Sequence, residues 1–150
     1  MPVRREKVVA YITHRRRLLV FTHRDFPEAG VQVPAGTVEP GESSEAAVLR
    51  EAREESGLRD LALRRYLGER WHDLTPDGRD EVAHRRFYHL RCLGQPPESW
   101  LAMEEHPSEG GPEPIAFECC WAPLPDCVPE LVAGLGALLP ALLADLAATD

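Results

Sequence analysis

Residues 36–58 read GTVEPGESSEAAVLREAREESGL, and this stretch decides which fold is expected of the 150-residue chain. A turn-forming Pro-Gly pair is followed by Ser43 and Ser44, either of which can cap the start of a helix. The helix is predicted to run to about Ser56, because Gly57 is a residue type that commonly ends helices. A helix with a signal at each end therefore follows a glycine-containing turn.

Three glutamates of this helix share one face. Glu51, Glu54 and Glu55 occupy positions i, i+3 and i+4, so their carboxylates span an arc of roughly 100°. Three like charges so close destabilise a helix unless a cation offsets them, and Mg²⁺ prefers carboxylate oxygens. A solvated acidic surface is the usual explanation of such a pattern. Here, however, Glu51 and Glu55 flank the apolar stripe of Val48 and Ala52, which favours a position where the helix meets the rest of the domain.

The segments on either side predict a mixed sheet and a second helix. Runs rich in β-forming residues lie at 7–12, 17–22, 31–33, 61–71, 82–92 and 115–121. Residues 129–147 predict a closing helix that bends near Pro140, and residues 94–114, rich in Pro, Gly and Glu, predict a long loop. An α/β/α sandwich around a mixed β-sheet is the natural way to layer these elements, in a single domain of residues 1–150.

Composition narrows the class of ligand. The net charge is −8, and residues 92–150 contain ten acidic residues but no Lys or Arg. This balance disfavours a nucleic-acid polymer as partner but allows a small anionic substrate held by metal ions and a few arginines. The longest apolar run, 131–144, is interrupted by Gly and Pro and is too short for a bilayer helix, so no membrane partner is expected. Four cysteines without metal-ligand spacing and no export signal favour a reducing cytoplasmic location.

A family resemblance rests on the spacing within residues 36–58. Gly36, Glu42 and the run REAREESGL at 50–58 fit the pattern GX5EX7REUXEEXGU, where U is an apolar residue, at every specified position. That pattern is the Nudix box, so the chain resembles the MutT-like Nudix hydrolases. The order of strands and helices over the rest of the chain is similar to the fold of that family.

The resemblance implies an enzyme that hydrolyses a diphosphate linkage in a nucleoside diphosphate joined to another group X. Water would attack phosphorus with Mg²⁺ as cofactor, or Mn²⁺ in its place. The implied metal ligands are Glu51, Glu54, Glu55 and the carbonyl of Gly36. Either Glu51 or Glu54 would deprotonate the water, Arg50 would orient the carboxylates, and Glu42 would pair with Arg50 in a structural role.

A further glutamate outside the box takes part in some members of the family. Glu118 is the preferred candidate, because it points away from the alternating apolar face of the predicted strand 115–121. The competing source is the predicted loop, which contains Glu104, Glu105 and Glu109. Plain solvent exposure is the alternative for all four residues.

The sequence leaves the substrate open. Arg24, Phe26 and Arg86 are candidate contacts to phosphate and base, with Arg85 and Trp100 as others, although solvated arginines and core aromatics are common. An ADP-ribose-like compound, a nucleotide sugar and a damaged nucleoside triphosphate are the candidate substrates, since no subfamily motif fits. The alternative function is a nucleotide-sensing binding module with little turnover. A homodimer is compatible with the resemblance.

Overall fold

The computed structural model describes residues 2–104 and 114–149 and contains seven strands and two α-helices. The strands are β1 (Val3–His14), β2 (Arg17–His23), β3 (Ala35–Thr37), β4 (Leu61–Asp73), β5 (Glu81–Cys92), β6 (Ser99–Glu104) and β7 (Ile115–Pro123). The helices are α1 (Ser44–Ser56) and α2 (Leu139–Thr149). Neither helix in this described part of the chain is long and apolar enough to cross a membrane.

One mixed sheet lies between the two helices. Its strand order is β4-β5-β1-β2-β7-β6, with β3 paired to β1. β1 and β5 run parallel, whereas the other neighbours are antiparallel. Because side chains alternate along a strand, Val8 packs with Val48 of α1 on one face, and Val9 packs with Leu142 of α2 on the other. The predicted α/β/α sandwich is confirmed.

Helix α1 forms as its sequence predicts. The Ser43 side chain accepts a hydrogen bond from the Ala46 N–H at 3.1 Å and so caps the first turn. Gly57 ends the helix with φ of 73° and donates its N–H to the Arg53 carbonyl, a left-handed conformation that glycine adopts without a steric penalty. Both ends of α1 are thus set by contacts within a few residues.

Three predicted elements need correction. The short strand expected at 31–33 lies instead at Ala35–Thr37, beyond Pro34, where it pairs with β1. Part of the loop expected at 94–114 is strand β6, which pairs with β7. The closing helix expected from residue 129 begins only at Leu139, because residues 132–134 form a separate turn with Ala133 at φ 55°. Pro140 therefore occupies the first turn of α2, where a missing N–H costs little.

Buried polar contacts attach the C-terminal segment to the sheet. The Tyr11 hydroxyl donates to the Leu135 carbonyl at 2.6 Å and accepts from the Leu138 N–H at 3.2 Å. Farther along, Asp145 of α2 lies 2.6 Å from His89 Nδ1, and burial lowers the pKa of this histidine. The two Tyr11 contacts fix the turn that precedes α2, and residues of this turn form part of the wall of the cleft described below.

Tyr11→Phe is expected to lower the free energy of unfolding by about 2–4 kcal/mol, because it leaves two buried backbone groups without their partner. Urea denaturation measures this change. The matched control is Tyr66→Phe. Because Tyr66 is 45% exposed, loss of its hydroxyl should lower the free energy of unfolding by no more than about 0.5 kcal/mol. Equal stability of the two variants would contradict the anchoring role of Tyr11.

Candidate active site

Strand β3 and helix α1 meet where Gly36 lies beneath Glu51. Gly36 pairs with Val8 of β1, whose side chain faces α1. A Cβ atom at position 36 would lie only 2.1 Å from the Glu51 carboxylate carbon. Any side chain at position 36 would displace the Glu51 carboxylate, so glycine lets this carboxylate lie directly against β3.

Three carboxylates from two elements converge beside Gly36. Glu51 and Glu55 belong to α1 and Glu104 ends β6, and one carboxylate oxygen of each lies within 4.8 Å of the others. The three residues are only 2%, 9% and 6% exposed, respectively. The Ala35 N–H donates to Glu55 Oε1 at 2.7 Å and so orients that carboxylate. Oxygen ligands in this arrangement suit a hard divalent cation.

The electrostatics of the cluster favour a bound cation. Burial raises the pKa of Glu51 to about 7 against the opposing effect of Arg50, and burial also raises the pKa values of Glu55 and Glu104. Within the described residues, Glu51 Oε2 is buried without a hydrogen-bond partner. A buried oxygen without a partner is costly, and a cation in the cluster would remove that cost. The residues present therefore fit a divalent metal.

Arg50 connects the cluster to the loop before α1. Its Nε and Nη2 donate to the two Glu42 oxygens at 2.8 and 2.9 Å, and its Nη1 donates to Glu51 Oε1 at 2.8 Å. The guanidinium holds the pKa of Glu42 at about 2, so Glu42 stays ionised. Glu54 lies 3.4 Å from the same guanidinium but is 41% exposed at its side chain and stands outside the three-carboxylate group.

A cleft of 410 Å³ opens beside the carboxylates. Glu55 and Glu104 line one part of it together with Phe117 and His23, and Lys7 and Arg85 line another. Residues 132–135, which precede α2, form part of its wall. The cleft therefore joins an acidic part to a basic part, an arrangement suited to an anion bound through a metal.

Comparison with known proteins assigns the family. The NUDIX domain model matches residues 3–142. The chain belongs to the Nudix family. Members of this family are pyrophosphohydrolases that use divalent metals, so this Nudix chain is an enzyme that acts on phosphoric anhydride bonds. No curated protein matches the sequence.

Several solved structures resemble this one over nearly its whole length. A MutT Nudix hydrolase from Burkholderia pseudomallei is 25% identical, with a TM-score of 0.65 over 93% of this chain and 98% of its own. An ADP-ribose pyrophosphatase from Streptococcus suis is 22% identical, with a TM-score of 0.59 over 97% and 92%. A UDP-X diphosphatase is 15% identical, with a TM-score of 0.67 over 100% and 66%. The latter two likenesses concern the fold alone.

Glu118, preferred as the further glutamate of this Nudix enzyme, does not reach the carboxylate cluster. Its neighbours Phe117 and Cys119 pack in the core on the α1 face, so Glu118 points to the opposite face and is exposed. Glu104 takes the position instead. The sequence WLAME could have indicated this position, because the alternation of a strand places Ala102 and Glu104 together on the buried side of β6. Glu105 and Glu109 lie outside the described residues.

The predicted substrate contacts also change. Arg86 points to the α1 face, away from the basic part of the cleft, and donates to Glu6 at 3.1 Å. The adjacent Arg85 lines the cleft in its place. Arg24 is exposed and does not line the cleft, whereas Phe26 is exposed and lies edge-on to His23, a cleft residue, with ring centroids 4.9 Å apart. Phe26 thus remains a candidate contact for a base.

Proposed function

We propose that the chain hydrolyses a diphosphate linkage in a nucleoside diphosphate joined to another group X, with Mg²⁺ or Mn²⁺ as cofactor. One observation carries the proposal, namely the buried group of Glu51, Glu55 and Glu104 at the acidic part of the cleft. Burying three carboxylates so close together is costly without a cation, and the cleft has room for the phosphate groups that would complete its coordination.

The cation would be held by Glu51, Glu55 and Glu104, with the Gly36 carbonyl and Glu54 as further oxygen ligands nearby. A bound divalent ion neutralises charge on the phosphate oxygens and lowers the pKa of bound water. Glu54 is proposed only as a further ligand, because it lies at the solvent side of the cluster. Glu118 is left out, because it faces the other side of the sheet.

The chain's own residues position the reacting groups. Arg50 holds Glu51 through Oε1, which leaves Oε2 of that carboxylate available. Glu51 and Glu54 are the two proposed acceptors of the proton from the attacking water, the first because of this available oxygen and the second because water reaches it. Glu42 keeps Arg50 in place through two hydrogen bonds and takes no part in proton transfer.

A substrate panel tests the proposal. We expect monophosphate release from at least one of ADP-ribose, nucleotide sugars, dinucleoside polyphosphates and oxidised nucleoside triphosphates when Mg²⁺ or Mn²⁺ is present, and none with EDTA. Binding to the same compounds is measured in parallel by calorimetry. Saturable binding without product across the whole panel would replace the hydrolase with the nucleotide-sensing module.

We also propose that the protein functions in a reducing compartment such as the cytoplasm. Cys92, Cys119, Cys120 and Cys127 are all free thiols. Free thiols, two of them exposed, are typical of proteins that function under reducing conditions.

A further inference from the structure

A row of basic residues crosses the sheet beside the carboxylate cluster. Lys7 of β1 pairs with Thr37 of β3 on one side and with Arg85 of β5 on the other, and Arg85 pairs in turn with Arg70 of β4. Directly paired residues point to the same face, here the face that packs against α2. We call Lys7, Arg85 and Arg70 the cationic row.

Without a bound anion, repulsion within the cationic row is expected to destabilise the sheet. Like charges directly opposite on neighbouring strands destabilise a sheet. The charges of Arg70 and Arg85 also oppose the rise that burial causes in the pKa of the Tyr11 phenol, which lies on the same face of the sheet. The row therefore concentrates positive charge on a partly buried surface.

Arg85 is the central residue of the cationic row, and its guanidinium has N–H donors available for an anion. It is half-buried, and its Nη1 donates to the Ala133 carbonyl in the cleft wall. Among the side chains that the structure describes, those of residues 2–76, 78–104 and 114–148, no carboxylate forms a salt bridge with Arg85. A guanidinium has five N–H donors, so most of them remain for an anion. Burial also lowers the pKa of Arg85, as expected for a charge that lacks a counterion.

The cleft connects this row to the carboxylates. Ala35 donates its N–H to Glu55, and Thr37, two residues further along β3, pairs with Lys7. Two residues of a strand cover about 7 Å, so the acidic and basic parts lie close together along one short strand. Lys7, Arg85, Glu55 and Glu104 all line the same cleft. An anion with several linked charged groups can occupy both parts at once.

We propose that the cationic row binds phosphate groups next to the one held at the carboxylate cluster, so that the enzyme prefers substrates with three or more phosphates in a chain over nucleotide sugars. This inference rests on the proposed function for its kinetic part. The anion site itself does not require turnover, because the row needs no metal to attract phosphate.

Binding of inorganic tripolyphosphate in the presence of EDTA tests the site directly. We expect calorimetry to show saturable binding to the parent protein that weakens about tenfold or more in Arg85→Gln, because charge-assisted hydrogen bonds are lost. Arg91→Gln is the matched control. Arg91 is exposed on the same face of β5 about 20 Å away, beyond the screening length, so its variant should bind within about twofold of the parent.

Arg70→Gln provides a second variant, since Arg70 is exposed and its replacement does not disturb the core. We expect tripolyphosphate binding to weaken about threefold or more in this variant. If Arg85→Gln does not fold, this variant tests whether the cationic row binds phosphate. A parent protein that binds no tripolyphosphate, or variants that bind it as the parent does, would overturn the inference.

Kinetics test the preference. We expect Arg85→Gln to lower kcat/KM for a nucleoside triphosphate about tenfold or more relative to a uridine diphosphate sugar, mainly through KM. An equal loss for both substrates would overturn the claimed preference while leaving the proposed hydrolase intact. If no compound is hydrolysed but tripolyphosphate binding still depends on Arg85, the proposed function fails and the anion site stands.

Discussion

Glu55→Gln is expected to lower metal-dependent hydrolysis about 100-fold or more while the protein remains folded. The amide oxygen still accepts the Ala35 N–H, so α1 and β3 keep their contact. The variant loses one negative charge at the site where a cation would bind, and about 3 kcal/mol of lost transition-state stabilisation corresponds to this factor. The kcat of a verified substrate, measured at saturating Mg²⁺, gives the size of the effect.

Thermal unfolding distinguishes this effect from damage to the fold. In EDTA, the midpoint of Glu55→Gln should equal or exceed that of the parent, because a buried carboxylate without its cation is destabilising. Added Mg²⁺ should raise the midpoint of the parent and not that of the variant. Glu45→Gln is the control, since Glu45 lies in the first turn of the same helix about 15 Å away. Parent-like hydrolysis by Glu55→Gln would show that the metal assignment is wrong.

Glu104→Gln is expected to reduce kcat/KM by about 10- to 1000-fold and to weaken the apparent affinity for Mg²⁺, because Glu104 supplies the one carboxylate of the cluster that lies outside α1. Glu118→Gln is its natural counterpart. Both residues lie on neighbouring strands, but Glu118 is exposed on the opposite face, so its variant should stay within about twofold of the parent. Titration of activity with Mg²⁺ measures both quantities.

The opposite outcome for this pair is informative. If Glu118→Gln lost activity and Glu104→Gln kept it, the register of β7 against β2 would have to differ from the one that pairs Glu118 with Thr22, because β6 follows β7. A shift of one residue turns every side chain of a strand to the other face. Equal, parent-like activity of both variants would leave α1 as the source of the carboxylate ligands within the described residues.

Local contacts explain why much of the site could be predicted from the sequence. The Ser43 cap, the Gly57 terminus and the spacing of Glu51, Glu54 and Glu55 all depend on residues within one helix. The pairing of Arg50 with Glu42, only eight residues before it, was implied by the resemblance to the Nudix box. Such contacts need no knowledge of the rest of the chain.

Helical periodicity placed Glu51 and Glu55 beside the apolar stripe of α1, but it could not show which other elements would cover them. In the structure, Glu51 and Glu55 are buried, whereas Glu54 stays half-exposed. Their difference arises from the position of β3 and β6 relative to α1. Trp100 of β6 donates to the Ser56 carbonyl at 2.6 Å and thereby attaches β6 to the end of α1. This contact and the pairing of β6 with β7 together set the position of Glu104 beside α1.

The sequence by itself determined the helix α1 and the spacing of its three acids, because these depend on neighbours a few residues apart. Only the tertiary structure decided that Glu104 rather than Glu118 joins the acids, and that Arg85 rather than Arg86 faces the cleft. In a strand, adjacent residues point to opposite faces, and which face is covered depends on pairing between distant segments. The cationic row arises in the same way, since Lys7, Arg85 and Arg70 become neighbours only when β1, β5 and β4 pair in register.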